Sequence, residues 1–195
     1  MRCLQLLRGK DIAPYTATIA HFANAQYREY PYLYDGTPEC YTEYLSTYAQ
    51  TPNGMLSIAF DGGKPVGFIS GKPMSENRDV YKQPLIERGD DIRTIFYVGE
   101  IALVPQYRGQ GIRRQLYANL EQAIRQNPQY KFAAIAEIDP ATLQVQAPAG
   151  YVPIDALLGQ IGYTKQPQLT FNVDWKNCND NREVPHRFVY WTKNL

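Results

Sequence analysis

The sequence lacks an excess of charge of either sign. Its 195 residues include 20 lysines and arginines against 19 aspartates and glutamates, which gives a formal net charge of +1. A broad basic face for nucleic acid requires a surplus of positive charge. The composition therefore gives no indication of a nucleic-acid partner.

Long hydrophobic runs are also missing. The longest apolar stretches have the length of a strand and are interrupted by charges, so none is typical of a membrane span. The amino-terminal stretch MRCLQLLRGKD has neither the apolar core nor the cleavage site of a signal peptide. We therefore expect a soluble, cytoplasmic protein with no membrane partner.

Cysteine and histidine are scarce. Cys3, Cys40 and Cys178 are far apart and form no CxxC or histidine-flanked pattern, which favours reduced, non-catalytic thiols. His21 and His186 lie among apolar neighbours and have no ligand partners at metal spacing. We expect both histidines to be structural and no metal to be bound.

The chain has enough hydrophobic residues, 44%, to form a substantial core. It contains no internal repeat and no low-complexity linker, so residues 1–195 are predicted to form a single domain. Apolar periodicity and turn residues predict strands at 3–7, 55–60, 65–71, 93–104, 131–138, 167–175 and 186–193. A first helix is predicted to begin near Asp11, which would cap it. Further helices are predicted at 40–48, after Gly111, and at 154–160. The polar stretch 75–91 is predicted to be a loop.

This order of elements predicts a mixed α/β domain. Its middle is a strand, a helix and a second strand, whose crossover should be right-handed and whose two strands should be roughly parallel. The turn VPQYRGQGIRRQL, residues 104–116, then joins the end of a strand to the start of a helix. Free N–H groups and the helix dipole favour an anion at such a place.

The composition of this turn supports an anion site. Gly109 and Gly111 have no Cβ, so a phosphate can approach the backbone closely, and Arg108, Arg113 and Arg114 add positive charge. The dinucleotide pattern GxGxxG fails because Arg114 replaces its third glycine, and the Walker pattern fails for lack of Gly-Lys-Ser or Gly-Lys-Thr.

A longer string carries a family resemblance. The segment EIALVPQYRGQGIRRQL, residues 100–116, resembles the central motif of the GNAT superfamily of acyl-CoA-dependent N-acetyltransferases, in which a strand ending in Val-Pro leads into Arg-Gly-x-Gly-x-Gly/Ala. Arg113 departs from the pattern by standing where the family usually has glycine or alanine. A second segment, LLGQIGY at 157–163, is similar to the family's Leu-Tyr-Glu-Lys-Leu-Gly-Phe.

The resemblance implies a single GNAT-like α/β domain. Its central mixed, mostly antiparallel sheet would have a splayed parallel strand pair and flanking helices, with acetyl-CoA as co-substrate. The turn would hold the pyrophosphate, the preceding strand end would pair with pantetheine, and Gly99 would suit the bulge that opens the sheet. The implied cofactor-binding residues are Ile101, Ala102, Leu103, Val104, Arg108, Gly109, Gln110, Gly111, Ile112, Arg113 and Arg114.

The implied reaction is direct attack of an acceptor amine on the thioester, for which a base must take a proton. Glu100 is the first candidate, because strand alternation would place it in one row with Phe96, Val98 and Ala102, where desolvation raises the pKa of a carboxylate. Pairing with a structural arginine, or exposure past a bulge, is the alternative for Glu100. Second choices for the base are Glu137 and Asp139.

No general acid is evident. The family's usual tyrosine position is occupied by Leu158, so Tyr151 or Tyr163 would substitute or the thiolate would leave unaided. Leu158 also leaves open a non-catalytic acyl-CoA-binding sensor. A dinucleotide-binding oxidoreductase is less favoured, because residues 105–108 separate the strand from the glycines.

The acceptor is predicted only as a small-molecule or peptide amine. Residues 27–48, YREYPYLYDGTPECYTEYLSTY, are rich in tyrosine and would wall the acceptor site in this family. Asp35, Glu39 and Glu43 could attract a cationic amine. The alternative is that the tyrosines pack helices against the sheet or form a dimer contact, which leaves a homodimer open.

Overall fold

The computed structural model describes residues 2–143, 145–178 and 180–195. The strands are β1 (Arg2–Arg8), β2 (Met55–Asp61), β3 (Lys64–Pro73), β4 (Ile95–Leu103), β5 (Phe132–Ile138), β6 (Thr164–Lys176) and β7 (Glu183–Asn194). The α-helices are α1 (Thr16–Tyr27), α2 (Pro38–Gln50), α3 (Asp79–Arg88), α4 (Ile112–Ile124) and α5 (Asp155–Gln160). Within the described ranges, no helix has both the length and the hydrophobicity needed to cross a membrane.

All seven strands belong to one sheet with the order β1-β2-β3-β4-β5-β7-β6. Every neighbouring pair is antiparallel except β4 and β5, which are parallel. The predicted mixed, mostly antiparallel sheet with a central parallel pair is confirmed. Strands β2 and β3 form an antiparallel hairpin, and Gly62 and Gly63 take the positive φ angles, 57° and 81°, that its turn requires.

Helices cover both faces of the sheet. Helices α1, α2 and α3 pack on one face, and α4 and α5 pack on the other. The apolar stripe of α4 that its sequence period predicts is buried, with Leu116, Leu120 and Ile124 at 0% exposure. Burial of each such side chain contributes about 1.5–3 kcal/mol, so this stripe fixes the position of α4 and of the turn before it.

The first helix differs from the sequence prediction at its start. Residues Gly9–Tyr15 form a 3₁₀ helix, and the α-helix begins only at Thr16. Asp11 therefore does not cap α1. Ile12 of the 3₁₀ helix and Ile19 and Ala23 of α1 are all fully buried.

The prediction of a loop over residues 75–91 is wrong, because this stretch contains α3. Only Tyr81 and Leu85 of the helix are buried, and they lie four residues apart on one face, so most of the helix is exposed, including Val80 and Ile86. Gly89, with φ 92°, ends the helix in the left-handed conformation that is typical of a C-terminal cap.

The predicted bulge at Gly99 is confirmed. The register between β3 and β4 shifts at Ser70, which lies opposite both Gly99 and Glu100. The Glu100 N–H donates a 3.0 Å hydrogen bond to Ser70 Oγ. A Cβ at Gly99 would overlap the Tyr48 hydroxyl, so this position has no space for a side chain.

This bulge reverses the alternation of side chains along β4. Before it, Phe96 and Val98 face α4, whereas after it Ala102 faces α1 and α2. Glu100 lies on the face of Ala102, so the prediction that it shares a row with Ala102 holds and the prediction that it shares a row with Phe96 and Val98 is wrong. The extra residue of the bulge is the reason, because a one-residue slip moves later side chains to the other face.

Strands β4 and β5 pair only over their first halves. The register joins Ile95–Val98 to Phe132–Ile135, and beyond these residues β5 pairs with β7 alone. The two parallel strands therefore diverge from Gly99 onward. The site described below lies at this divergence.

Candidate active site

The turn after β4 is shaped by two glycines. A 3₁₀ turn, Pro105–Tyr107, ends at Arg108, and Gly109 and Gly111 then adopt φ angles of 74° and 77°. Gly111 is the residue that precedes the first turn of α4. A side chain is strained at such angles, so both positions favour glycine.

The N–H groups of this turn are available to a ligand. In the part of the chain that the structure describes, the backbone N–H groups from Gly109 to Arg114 have no hydrogen-bond partner. The hydrogen bonds of α4 begin with the Gln115 N–H, which donates to the Gly111 carbonyl at 3.2 Å. A Cβ placed on Gly109 or Gly111 would meet no atom within 4 Å, so the backbone is open on that side. Unpaired N–H groups at a helix N-terminus suit a phosphate group.

The three arginines of the turn have different surroundings. Arg108 forms an ion pair with Glu29 at 2.8 Å, and Arg114 donates to Gln160 at 2.7 Å, so both side chains tie the turn to other elements. Arg113 is half-buried, and its Nε has no partner among the described residues. Its positive charge acts on Glu137, as described below.

The second half of β4 has one unpaired edge. Residues Ile101, Ala102 and Leu103 pair with β3 on one side, while the described strands offer no partner on the other side, because β5 has diverged. Side chains reach this edge, with the Tyr27 hydroxyl donating to the Ile101 carbonyl at 3.2 Å and Arg108 Nε to the Leu103 carbonyl at 3.5 Å. The edge lies between the turn and the cavity described next.

A cavity of about 280 Å³ opens where β4 and β5 diverge, on the face covered by α1, α2 and α3. We call it the tyrosine cavity, because its lining includes Tyr27, Tyr32, Tyr34, Tyr41, Tyr44, Tyr81 and Tyr97. Five of these seven tyrosines come from the tyrosine-rich segment 27–48. Aromatic rings with hydroxyl tips give an apolar wall that also presents hydrogen-bonding groups.

Glu100 lies half-buried in this lining. Its Oε2 accepts a 2.8 Å hydrogen bond from the Tyr41 hydroxyl. Burial raises the pKa of Glu100 above the ordinary carboxyl value, and the tyrosine hydroxyls around it, of which that of Tyr41 donates directly, oppose the rise. Glu100 forms no ion pair with any arginine in the described part of the chain.

Glu137 lies on β5 in the same lining and is 7% exposed. The Tyr32 hydroxyl donates to its Oε2 at 2.9 Å. Burial raises the pKa of Glu137 to about 7, against the lowering effects of the Tyr32 hydrogen bond and the positive charge of Arg113. Asp139, the other second choice, is outside the lining and instead accepts a hydrogen bond from Ala141 N–H.

The residues considered as general acids lie elsewhere. Leu158 is fully buried in the core beneath α4, and Tyr163 is buried in the same cluster. Tyr151 packs edge-on against Tyr30, and burial raises its pKa to about 12. Neither tyrosine belongs to the lining of the tyrosine cavity.

The acidic residues expected to attract an amine are also outside the cavity. Asp35 forms ion pairs with Arg28 and Lys176, both at 2.8 Å, and Glu39 and Glu43 are exposed on α2. The lining carboxylates are instead Glu100, Glu137 and Asp174.

Sequence reasoning missed several cavity residues. Arg78 and Tyr81 lie in the stretch that was predicted to be a loop, and Trp175, which donates to the Tyr32 carbonyl at 3.0 Å, was predicted only as the end of a strand. The pair Tyr81 and Leu85, at helical spacing before Gly89, was the signal that could have revealed α3.

The comparisons with known proteins agree with this geometry. The acetyltransferase of the GNAT family from Streptococcus pneumoniae is 13% identical and superposes over 99% of this chain and 100% of its own, with a TM-score of 0.61. NAA60 of Arabidopsis thaliana, solved in complex with a bisubstrate analogue, is 11% identical over 100% and 99% of the two chains, with a TM-score of 0.63. YncA from Salmonella typhimurium, solved with its cofactor acetyl-CoA, is 12% identical over 100% and 94%, with a TM-score of 0.62. At these identities the similarity shows a shared fold. A comparison with curated protein sequences gave no match.

The family model of the acetyltransferase (GNAT) family matches residues 19–147, which is more than half of the chain. The match includes α1, α2, the diverging strands and the glycine turn. It decides against the dinucleotide-binding oxidoreductase. The chain belongs to the GNAT family of acetyltransferases and is an acyltransferase.

Proposed function

We propose that the protein transfers the acetyl group of acetyl-CoA to a primary amine by direct attack of the amine on the thioester. One observation carries this proposal. Where β4 and β5 diverge, the free edge of β4 leads from a turn with unpaired N–H groups to a cavity that contains two buried or half-buried carboxylates. Donor and acceptor would meet at this divergence. We also propose that residues 1–195 form one GNAT-like domain.

The donor would bind along β4 and the turn. The backbone N–H groups from Gly109 to Arg114 would hold the pyrophosphate, since they are unpaired and the backbone there is open. The free edge of residues 101–104 would pair with the pantetheine amide groups as an added strand does. Arg113 would lie beside the thioester end, as its influence on Glu137 indicates.

The acceptor amine would lie in the tyrosine cavity. An ammonium group must lose a proton before it can attack, and Glu100 is the group that we propose as the base. The amine nitrogen then forms a bond to the thioester carbonyl carbon, and the carbon–sulfur bond breaks. The nitrogen gives up its second proton to water, and the departing thiolate takes a proton from solvent. Glu137 is the alternative base in the same lining.

The size of the cavity indicates the kind of acceptor. A volume of about 280 Å³ suits a small molecule or the end of a peptide chain. The tyrosine rings would pack against its apolar part, and the carboxylates would hold its amine.

Calorimetric titration with acetyl-CoA, with NADH in a parallel cell, tests the donor. We expect saturable binding of acetyl-CoA alone and weaker binding by Gly111→Glu, whose carboxylate would repel the pyrophosphate. Thiol release with a panel of amines, followed by mass spectrometry of the acetylated products, tests the transfer. Failure to bind acetyl-CoA would overturn the proposal. A transfer rate of Glu100→Gln that equals wild type across pH would overturn the choice of base.

A further inference from the structure

Two cationic side chains near the tyrosine cavity have no carboxylate partner. Arg78, which immediately precedes α3, lines the cavity. Lys72 on β3 is only 5% exposed, and its Nζ lies 4.9 Å from the centre of the Tyr48 ring. Neither cation forms an ion pair with any residue that the structure describes. Lys72 is buried, and buried cations are normally paired with an anion. Arg78 is exposed to solvent where it lines the cavity, so its guanidinium is accessible to a ligand that enters there.

Arg78 is held at the wall of the cavity. Its guanidinium carbon lies 5.2 Å from the centre of the Tyr81 ring, and its Nη2 donates to the Tyr81 hydroxyl at 3.3 Å. This contact holds the guanidinium but leaves most of its donors free, since an arginine offers five. A carboxylate is the partner that this planar group accommodates best.

The cations and the proposed base lie at different parts of the cavity. The ring of Tyr81 packs on that of Tyr97 with centroids 5.4 Å apart, and Tyr97 precedes Glu100 by three residues on β4. A rise of about 3.3 Å per residue separates Tyr97, which lies at the Arg78 end of the cavity, from Glu100 by at most about 10 Å along β4. Tyrosine rings form the wall between the two charged ends.

We propose, on the basis of the acetyl transfer proposed above, that the acceptor is a primary amine that carries a carboxylate at its far end. The amine binds at Glu100 and Glu137, the carboxylate binds Arg78, and the chain between them packs on the tyrosines. An ω-amino acid, or a longer molecule that ends in one, has this shape.

A diamine is the competing acceptor. Three carboxylates, Glu100, Glu137 and Asp174, line the cavity, and Asp174 is exposed at its rim. A second ammonium group near Arg78 would be repelled by that guanidinium and by Lys72 behind it. The observations therefore favour an anionic far end over a cationic one.

Three acceptors with the same six-carbon chain test this proposal: 6-aminohexanoate, hexylamine and 1,6-diaminohexane. We expect kcat/KM for 6-aminohexanoate to exceed that for the other two by up to about fivefold, which is the contribution of an ion pair to an exposed guanidinium such as that of Arg78. In Arg78→Gln this ratio should fall to near one, and Arg78→Lys should retain part of it. Arg125→Gln, which removes an exposed arginine outside the lining, should keep the wild-type ratio.

The outcomes separate this inference from the function on which it rests. Equal kcat/KM values, or a preference for the diamine, would overturn the carboxylate-bearing acceptor while acetyl transfer stands. A wild-type protein that acetylates none of the three amines is then tested by calorimetry with the products 6-acetamidohexanoate and N-hexylacetamide. Tighter binding of the carboxylate product, lost in Arg78→Gln, supports the inference. Equal or absent binding of the two products overturns it.

Discussion

The Tyr32 hydroxyl donates a 2.9 Å hydrogen bond to Oε2 of Glu137 on β5, inside the tyrosine cavity. Tyr41 makes the matching contact with Glu100 on β4, at 2.8 Å. Tyr32, in the segment between α1 and α2, and Tyr41, on α2, thus each link this wall of the cavity to one of the two diverging strands. Because the two carboxylates have separate hydrogen-bond donors, their roles can be separated by mutation.

Removing one hydroxyl should identify the base. A hydrogen bond to the ionised carboxylate lowers its pKa, so Tyr32→Phe should raise the pKa of Glu137 above its value of about 7, and Tyr41→Phe should raise that of Glu100. Loss of such a bond shifts the pKa by about one unit. The rate falls when the base is protonated, so the acid limb of kcat/KM against pH should move to higher pH.

The two variants serve as controls for each other. A shift of the acid limb in Tyr41→Phe alone supports Glu100, and a shift in Tyr32→Phe alone assigns the base to Glu137. An unchanged acid limb in both variants would contradict both assignments.

Arg113 should affect the pKa of Glu137 in the same sense as Tyr32. Its positive charge lowers the pKa of Glu137, so Arg113→Met should raise it further while keeping much of the side-chain volume. NMR titration of the Glu137 carboxyl carbon measures this without any substrate. Arg114→Met is the matched control, because Arg114 is exposed and donates to Gln160, and it should leave the titration midpoint in place. A midpoint that does not move in Arg113→Met would show that the guanidinium does not act on Glu137.

Glu137 should also make stability depend on pH. Its pKa rises from 4.5 in the unfolded chain to about 7 in the folded protein, so between these values the folded state binds the extra proton and the free energy of unfolding falls as pH rises. The contribution of Glu137 to the free energy of unfolding is fully present below pH 4.5, its unfolded pKa, and is lost as the pH rises through about 7. Glu137→Gln removes this penalty and should gain roughly 2–3 kcal/mol relative to wild type at pH 8, and little at pH 4. Urea unfolding at the two pH values measures the difference. A gain that is the same at both would contradict the raised pKa.

The sequence predicted the framework of the site better than its contents. The parallel pair, the bulge at Gly99 and the glycine turn follow from local signals, namely an apolar strand, a glycine within it and a Gly-x-Gly before an amphipathic helix. Which side of β4 carries Glu100 could not be read from alternation, because one inserted residue reverses it.

The helical wall of the cavity shows the other limit. Tyr81 belongs to α3, and Arg78 immediately precedes it. Only two residues of this helix are buried, and the apolar Val80 and Ile86 are exposed, so the apolar period of the helix is weak in the sequence. Asp35 appeared free in the sequence but is neutralised by Arg28 and Lys176, which are close only after folding. Whether a charged side chain can bind a ligand depends on ion-pair partners that are distant in the chain. A local sequence pattern does not include those partners.

Gly99→Ala should close the site. The added Cβ would overlap the Tyr48 hydroxyl and lie 3.0 Å from Ser70 Oγ, so β4 must shift where it leaves β5. We expect a loss of stability of about 1–3 kcal/mol and a larger loss of kcat/KM, since the cavity depends on that divergence. Gly159→Ala in α5, where a Cβ meets nothing within 4 Å, is the control and should keep wild-type stability and activity. Wild-type activity in Gly99→Ala would show that the bulge does not set the geometry of the site.

Gly111→Ala tests the anion-binding turn against Gly89→Ala, a matched control at the end of α3. Both glycines have positive φ, 77° and 92°, and a Cβ at either meets nothing within 4 Å, so both substitutions cost about 1 kcal/mol of backbone strain without a clash. Only the methyl group at Gly111 would project over the unpaired N–H groups where a pyrophosphate approaches. We therefore expect similar thermal stability for the two variants but a Kd for acetyl-CoA that rises about tenfold or more in Gly111→Ala alone. Calorimetry and thermal unfolding on the same samples separate the two effects. Equal affinity in both variants would contradict the assignment of this turn to the pyrophosphate, whatever the transfer assays show.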